Sequence, residues 1–214
     1  ASDVYTGPKS YYICKREEHV PENCKYAVFF SARTVFKRKN SSIIPTNRIV
    51  ILGATSGIGL EIAKLYIAAG WQVGAAGRRT ENLEALRAAA PDRVKIRSID
   101  ITAPEAEELL LRLIADLGGC DLLLHCAGIG YNNPQLDAAR EIATAETNTV
   151  GFTRIIDTAF DYFRRQGGGH LAAISSIAGT KGLGAAAAGS YSHQTLQTIC
   201  GVDVQGDVGH DKEE

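Results

Sequence analysis

Apolar residues along this chain fall into two alternating rhythms, short continuous runs and longer stretches that recur every three or four positions. The run Ile49 to Leu52, continued by Ala54, suits a strand buried on both faces of a parallel sheet. Behind it Ile58, Ile62, Leu65, Tyr66 and Ala69 recur at helical spacing, which predicts a helix with one buried face over Gly57 to Ala69. The alternation continues with a strand at Gln72 to Ala76, a polar helix at Thr80 to Ala90 and a strand at Val94 to Ile99. A Leu-rich helix follows at Pro104 to Leu117, with Pro104 suited to its first turn, and then the very apolar strand Asp121 to His125. A long helix from about Ala138 to Arg165 and a strand at His170 to Ser175 complete the series. Five strands joined by right-handed helical crossovers predict an α/β fold built on a doubly wound parallel sheet, whose ligand lies outside the carboxyl ends of the strands.

The first 47 residues show neither rhythm for long. A basic cluster, Lys37-Arg38-Lys39, precedes a Ser/Pro/Asn-rich link at Asn40 to Asn47, so 1–47 is expected to be a poorly ordered extension, 48–192 the folded domain and 193–214 an atypical tail. The chain has 214 residues, 45% of them hydrophobic and 22% charged, enough for one well-buried domain. A net charge of −1 does not point to a nucleic-acid partner, although residues 1–48 hold nine Lys/Arg against four Asp/Glu. The five cysteines, Cys14, Cys24, Cys120, Cys126 and Cys200, form no CxxC pair, which suits a reduced, cytoplasmic setting better than a disulfide framework. No apolar run approaches the roughly 20 residues of a membrane span, so no membrane partner is expected.

Candidate chemistry gathers at the strand ends. After the first strand, Gly53-Ala54-Thr55-Ser56-Gly57-Ile58-Gly59 reads as a phosphate-cradling turn. Glycines allow positive φ and close approach of a pyrophosphate, and the following helix N-terminus offers free N–H groups. Glycine-rich βα loops without a ligand also occur, and the later strand ends decide between the two. After the second strand come Arg78 and Arg79, about twenty residues beyond the turn, where an acid would bind a ribose 2′-OH and an arginine accommodates a 2′-phosphate. Two arginines and no acid favour NADP over NAD; the alternative is a solvated charge pair at a helix start. After the third strand, Asp100-Ile101 places a carboxylate beside the expected adenine site. After the fourth, His125-Cys126-Ala127-Gly128 puts the small residues Ala127 and Gly128 where the sheet meets a cofactor ribose.

Together these segments resemble the short-chain dehydrogenase/reductase family, whose single-domain members have a Rossmann-like fold. The family's T-G-x-x-x-G-x-G turn is matched by residues 52–59 except for Leu52, its third-strand Asp by Asp100, and its N-x-A-G element by 125–128, with His125 replacing Asn. Its active-site asparagine matches Asn148 in Asn148-Thr149-Val150-Gly151, and its fifth-strand serine matches Ser176 in Ile174-Ser175-Ser176-Ile177-Ala178-Gly179. The resemblance runs from about Arg48 to Ala188. It implies hydride transfer between NADP(H) and a small-molecule carbonyl or alcohol substrate, in which a tyrosine is the general acid/base and serine hydrogen-bonds the substrate oxygen. A lysine four residues after the tyrosine lowers its pKa, and asparagine secures a water that relays protons to that lysine. Tyr191 takes the tyrosine position, and the family commonly forms homo-oligomers.

The reaction side departs from the pattern. Tyr191 follows Ser176 by fifteen residues, slightly more than the usual interval, and Thr195 stands where the lysine is expected. His193 cannot substitute, since a residue two positions on points away from the tyrosine's helix face. Lys181 matches no family position. The chain also ends 23 residues after Tyr191, too soon for the family's substrate-covering segment. The sheet is therefore expected to be incomplete at its C-terminal edge, and the tail to reflect truncation or a frameshift after Tyr191. Two readings result: an NADP-dependent oxidoreductase using Asn148, Ser176 and Tyr191, or an NADP-binding module with little or no catalysis. An extended nucleotide-sugar epimerase is less favoured, since its turn reads G-x-x-G-x-x-G.

Overall fold

A computed structural model describes residues 47–176 in full, together with 187–190, 192, 193 and 195, and the backbone of 12–14 and 27–35. Five parallel strands form the centre: β3 (Arg48–Leu52), β4 (Gln72–Gly77), β5 (Val94–Ser98), β6 (Leu122–His125) and β7 (Gly169–Ile174). Between them run α1 (Gly57–Ala68), α2 (Thr80–Ala89) and α3 (Ala106–Asp116), and then α4 (Ala138–Ala145) and α5 (Phe152–Gln166). The spatial order β7-β6-β3-β4-β5 is that of a doubly wound sheet, with the reversal between β3 and β6.

Alternation along β3 sorts its side chains onto the two faces. Ile49 and Ile51 pack with Ala63, Leu83 and Leu86 of α1 and α2, while Val50 and Leu52 pack with Leu110, Leu113, Ile155 and Phe163 of α3 and α5. Both faces are thus covered, as the continuous apolar runs require. At the amino ends of the strands, Arg48 and Asp121 form a bidentate pair, Nε to Oδ2 and Nη2 to Oδ1 both at 3.0 Å. The pair ties the starts of β3 and β6, which sit side by side.

Three elements differ from the sequence-based expectations. Pro104 lies in the turn before α3, which begins at Ala106, because the backbone of 100–103 turns on itself through the bond from Ala103 N to Asp100 O. The single helix expected over 138–165 is interrupted by a π-helical turn, Glu146–Gly151, across which the buried positions Thr144, Asn148, Phe152 and Ile155 still step by three or four residues. Within the leader, expected to be poorly ordered, β1 (Tyr12–Cys14) and β2 (Ala27–Val35) join the sheet. β2 pairs antiparallel with the outer edge of β7, from Phe30 opposite Ile174 to Val35 opposite Gly169. The edge expected to stand open is therefore covered, and the β-branched and aromatic content of 27–35 suits that pairing. Among the described residues, no helix is long and apolar enough to cross a membrane.

His125 ends β6 on the α5 face of the sheet, 2% exposed, in an edge-to-face contact with Phe152 at 4.9 Å. Its Nε2 is buried with no hydrogen-bond partner. Burial pushes the imidazole down to about 4 from its ordinary 6.5, only partly countered by a backbone hydrogen bond, so the folded protein holds it neutral. An unfolded chain takes up this proton near pH 6.5, whereas the folded one does so only near pH 4. The stability linked to His125 is therefore complete above pH 6.5 and is lost as pH falls through that window, by about 3 kcal/mol in all. Urea midpoints at pH 7.5 and pH 4.5 check this: His125→Phe should lose less stability between the two than the parent does. Equal losses in both proteins would show that this histidine does not titrate on unfolding.

Candidate functional site

The turn after β3 is shaped by what glycine omits. Gly59 lies so close to the turn that a Cβ there would stand 2.3 Å from the Gly53 carbonyl oxygen, and a Cβ on Gly53 would stand 2.6 Å from the Ala127 amide nitrogen. Gly57 has φ +53 and open space around its missing side chain, the conformation and clearance a bound group needs. Gly53 N and Ala54 N both donate to Ala76 O at 2.9 Å, which fixes the turn to the end of β4. α1 then begins with no side chain capping it and no acid in its first turn. Its leading N–H groups remain available to an anion.

Thr55 anchors this turn to the second βα unit. Its methyl fills the space left by Gly77, where a Cβ would be 2.7 Å away, and its carbonyl accepts from Asn82 Nδ2 at 2.7 Å. Its hydroxyl accepts from Arg79 Nε and Nη2 at 3.3 and 3.0 Å, and Arg79 also reaches the Ser56 hydroxyl. Arg79 is thus held against the glycine turn. Arg78 faces Asp100. Burial acts to raise the Asp100 carboxyl, but hydrogen bonds from the Thr102 amide (3.0 Å) and hydroxyl (2.7 Å), with the charge of Arg78, hold it below the usual carboxylate range.

These groups surround one cavity of about 660 Å³ at the carboxyl edge of the sheet. Gly53, Thr55, Ser56, Gly57, Ile58, Gly59, Arg78, Arg79, Asp100, Ile101, Ala127 and Gly128 all line it, so the structure brings every candidate cofactor residue together. Its charged side chains are two arginines and one aspartate, beside uncapped helix amides, a donor set that fits a phosphorylated dinucleotide. Spacing alone did not single out Cys126, Ile129, Thr147 and Ile174, which also line it. Each adjoins a segment that did carry a signal: Ala127-Gly128, Asn148 or Ser176. Burial pushes the Cys126 thiol up to about 12, so it is a neutral wall of the cavity rather than a nucleophile.

The candidate catalytic residues are placed differently. Asn148 sits inside the π-helical turn, 4% exposed, and its side chain is committed to one backbone unit: Oδ1 accepts from Ile129 N at 2.8 Å, and Nδ2 donates to Ile129 O at 2.6 Å. It therefore clamps the loop after β6, and Nδ2 also reaches Ser192 Oγ at 3.4 Å. Ser176 lies half-buried just past the end of β7, two residues beyond the cavity-lining Ile174. Tyr191 and Lys181 lie outside the described residues, as does most of 193–214. Thr195 is helical and half-buried, and burial pushes the His193 imidazole down.

Comparison with known proteins gives this geometry a family. The family model described as short chain dehydrogenase matches residues 47–197. An uncharacterized oxidoreductase of Mycobacterium tuberculosis is 33% identical over 149 residues, which make up 65% of this chain and 58% of that protein. Among solved structures, a short-chain dehydrogenase from Streptomyces avermitilis superposes with a TM-score of 0.67 at 29% identity, covering 72% of this chain and 58% of that one. A variant actinorhodin polyketide ketoreductase with NADPH gives 0.67 at 26%, covering 72% and 62%. The chain thus spans less than two thirds of the length of the curated relatives it matches, such as the M. tuberculosis protein. With the glycine turn, the strand order and a family match covering more than half its length, the chain belongs to the short-chain dehydrogenase family.

Proposed function

We propose that this chain binds NADP(H) in the cavity at the sheet's carboxyl edge and carries out hydride transfer between that cofactor and a small carbonyl or alcohol substrate. The observation that carries the reading is the placement of Arg78 and Arg79 beside the glycine turn, with no acid in position to take a ribose 2′-OH at the end of β4. The actinorhodin polyketide ketoreductase, similar in fold and sequence, is a structure with NADPH. When bound, the cofactor supplies or accepts the hydride. The amides of 57–59 would hold its pyrophosphate, Arg78 and Arg79 its 2′-phosphate, Asp100 and Ile101 its adenine end, and Ala127-Gly128 would leave room for its ribose.

On the reaction side, Ser176 orients the substrate oxygen and Tyr191 exchanges the proton with it. Asn148 contributes by holding the loop at Ile129, beside Ala127-Gly128. A phenol titrates near pH 10, so at neutral pH only about one in a thousand would be phenolate without a nearby cation. Thr195 brings none. That residue favours a second reading, an NADP-binding module with little turnover. Cys120 and Cys126 are free thiols, in keeping with a cytoplasmic setting. Exposed Ile142 and Val150, on consecutive helical elements, suit a homo-oligomer contact.

Two experiments test these statements. Fluorescence titration should show NADPH binding more tightly than NADH, and Arg78→Ala, which spares the Arg79 bonds to the glycine turn, should lose about fivefold to tenfold for NADPH while NADH is little changed. Equal losses for both cofactors would remove the 2′-phosphate assignment. NADPH oxidation with a panel of ketones and aldehydes should be faster in Thr195→Lys than in the parent, by about tenfold or more, with its pH optimum moved downward. Tight NADPH binding without turnover in either protein would leave the binding-module reading standing and defeat the enzyme reading.

A further inference from the structure

Arg154, on the first turn of α5, makes no part of the cavity wall, yet its guanidinium is directed at three successive backbone carbonyls behind that wall. Nη1 donates to Ile101 O at 3.4 Å, Thr102 O at 3.1 Å and Ala103 O at 3.1 Å, and Nε faces Glu107 Oε1 at 3.4 Å. Three carbonyl dipoles converging on one point repel each other unless a cation or water sits among them, and a planar, permanently charged guanidinium meets that need. The same loop is held from its other side, where Asp100 accepts from the Thr102 amide and hydroxyl. α5 comes this close because Gly151, the last residue of the π-helical turn, has no side chain: a Cβ there would lie 2.9 Å from Ile101 O and 3.0 Å from Ile101 Cγ1.

We propose that Arg154 is a positioning residue for the adenine end of the cavity, its guanidinium gathering the Ile101–Ala103 carbonyls so that Asp100 and Ile101 stay where the adenosine half of a dinucleotide meets them. This inference rests on the reading of the cavity as an NADP site. It assigns a binding role to a side chain that touches no ligand and sits more than fifty residues along the chain from the loop it holds. The π-helical turn then serves both ends of the cavity, with Asn148 fixing Ile129 near the reaction side while Gly151 and Arg154 fix the loop at 101–103.

The test uses two probes, NADPH and 2′,5′-ADP, which carries only the adenosine half. Arg154→Ala should weaken both by the same factor, roughly fivefold to tenfold, while hydrogen exchange accelerates at the Thr102 and Ala103 amides and not in β3 or β4. Arg154→Lys should recover part of the affinity, since a point charge replaces only some of the contacts, and Glu107→Gln should leave both affinities unchanged. Parent-like binding of 2′,5′-ADP by Arg154→Ala would overturn the proposal. So would faster exchange spread evenly over the sheet, the mark of a merely structural role. If Arg154→Ala does not fold, Arg154→Gln is read by the same criteria. A parent protein that binds neither probe overturns the reading of the cavity itself and this proposal with it, an outcome distinct from loss in the variant alone.

Discussion

Everything at the carboxyl edge of this sheet depends on one close approach, the backbone of Gly59 lying directly over the carbonyl of Gly53. A methyl group at Gly59 would fall 2.3 Å from that oxygen, so any other residue would force α1 away from the turn. With α1 seated there, its uncapped N–H groups look into the cavity, and Gly53 can rest against the Ala127 amide. The ends of β3 and β6 then come together with no side chain between them. A cavity opens beyond this contact because the backbones themselves leave room for it.

The surrounding contacts keep that arrangement from relaxing. Thr55 is trapped between Gly77, Arg79 and Asn82, so the turn is bound to the second βα unit through packing, a charge-assisted bond and a backbone bond together. On the far side, Arg154 and Asp100 hold the loop after β5 from opposite directions. Asn148 does the same for the loop after β6, using both halves of its amide on the two polar groups of Ile129. Among the described residues, the cavity-lining loops after β3, β5 and β6 are thus each tied to a neighbouring element by side-chain hydrogen bonds. Preorganisation of this kind lowers the ordering cost of binding.

Much of this was legible in the sequence because it is written in local patterns. Apolar runs and helical spacing fix the five strands and their order of appearance, and glycine spacing reports backbone approaches that no other residue allows. Arg78, Arg79 and Asp100 could be expected at the cavity, which they line, because the carboxyl ends of strands in a doubly wound sheet meet at one edge. The π-helical turn left no such trace, since the buried positions step by three or four residues straight through it, from Thr144 to Asn148, Phe152 and Ile155. Arg154 was invisible for another reason: its partners are carbonyls, which every residue possesses, so no residue type in 101–103 announces the contact. His125 could be seen as a departure from the family's Asn, but not that β6 buries it against Phe152 with one nitrogen unpartnered. β2 pairs along its backbone with the edge of β7, a partner more than a hundred residues away that no local window reveals.

Binding and turnover place different demands on this chain, and the residues separate along that line. Holding a dinucleotide requires fixed amides, a cleft and cations, and the candidate amides and cations lie in residues 53–128, within a cleft that Thr147 and Ile174 help to line. Nothing at position 195 enters that list. Proton transfer in the proposed reaction requires a phenol whose pKa is drawn toward neutrality by a nearby charge, and four residues after Tyr191 this sequence has Thr195. A hydroxyl can pass a hydrogen bond but brings no net charge, so it can orient a phenol without acidifying it. On the proposed reading, affinity for NADP(H) depends on parts of the molecule that do not need the tyrosine. Rate, on the same reading, depends on whether a cation, from this chain or from solution, comes within a few ångströms of the Tyr191 hydroxyl.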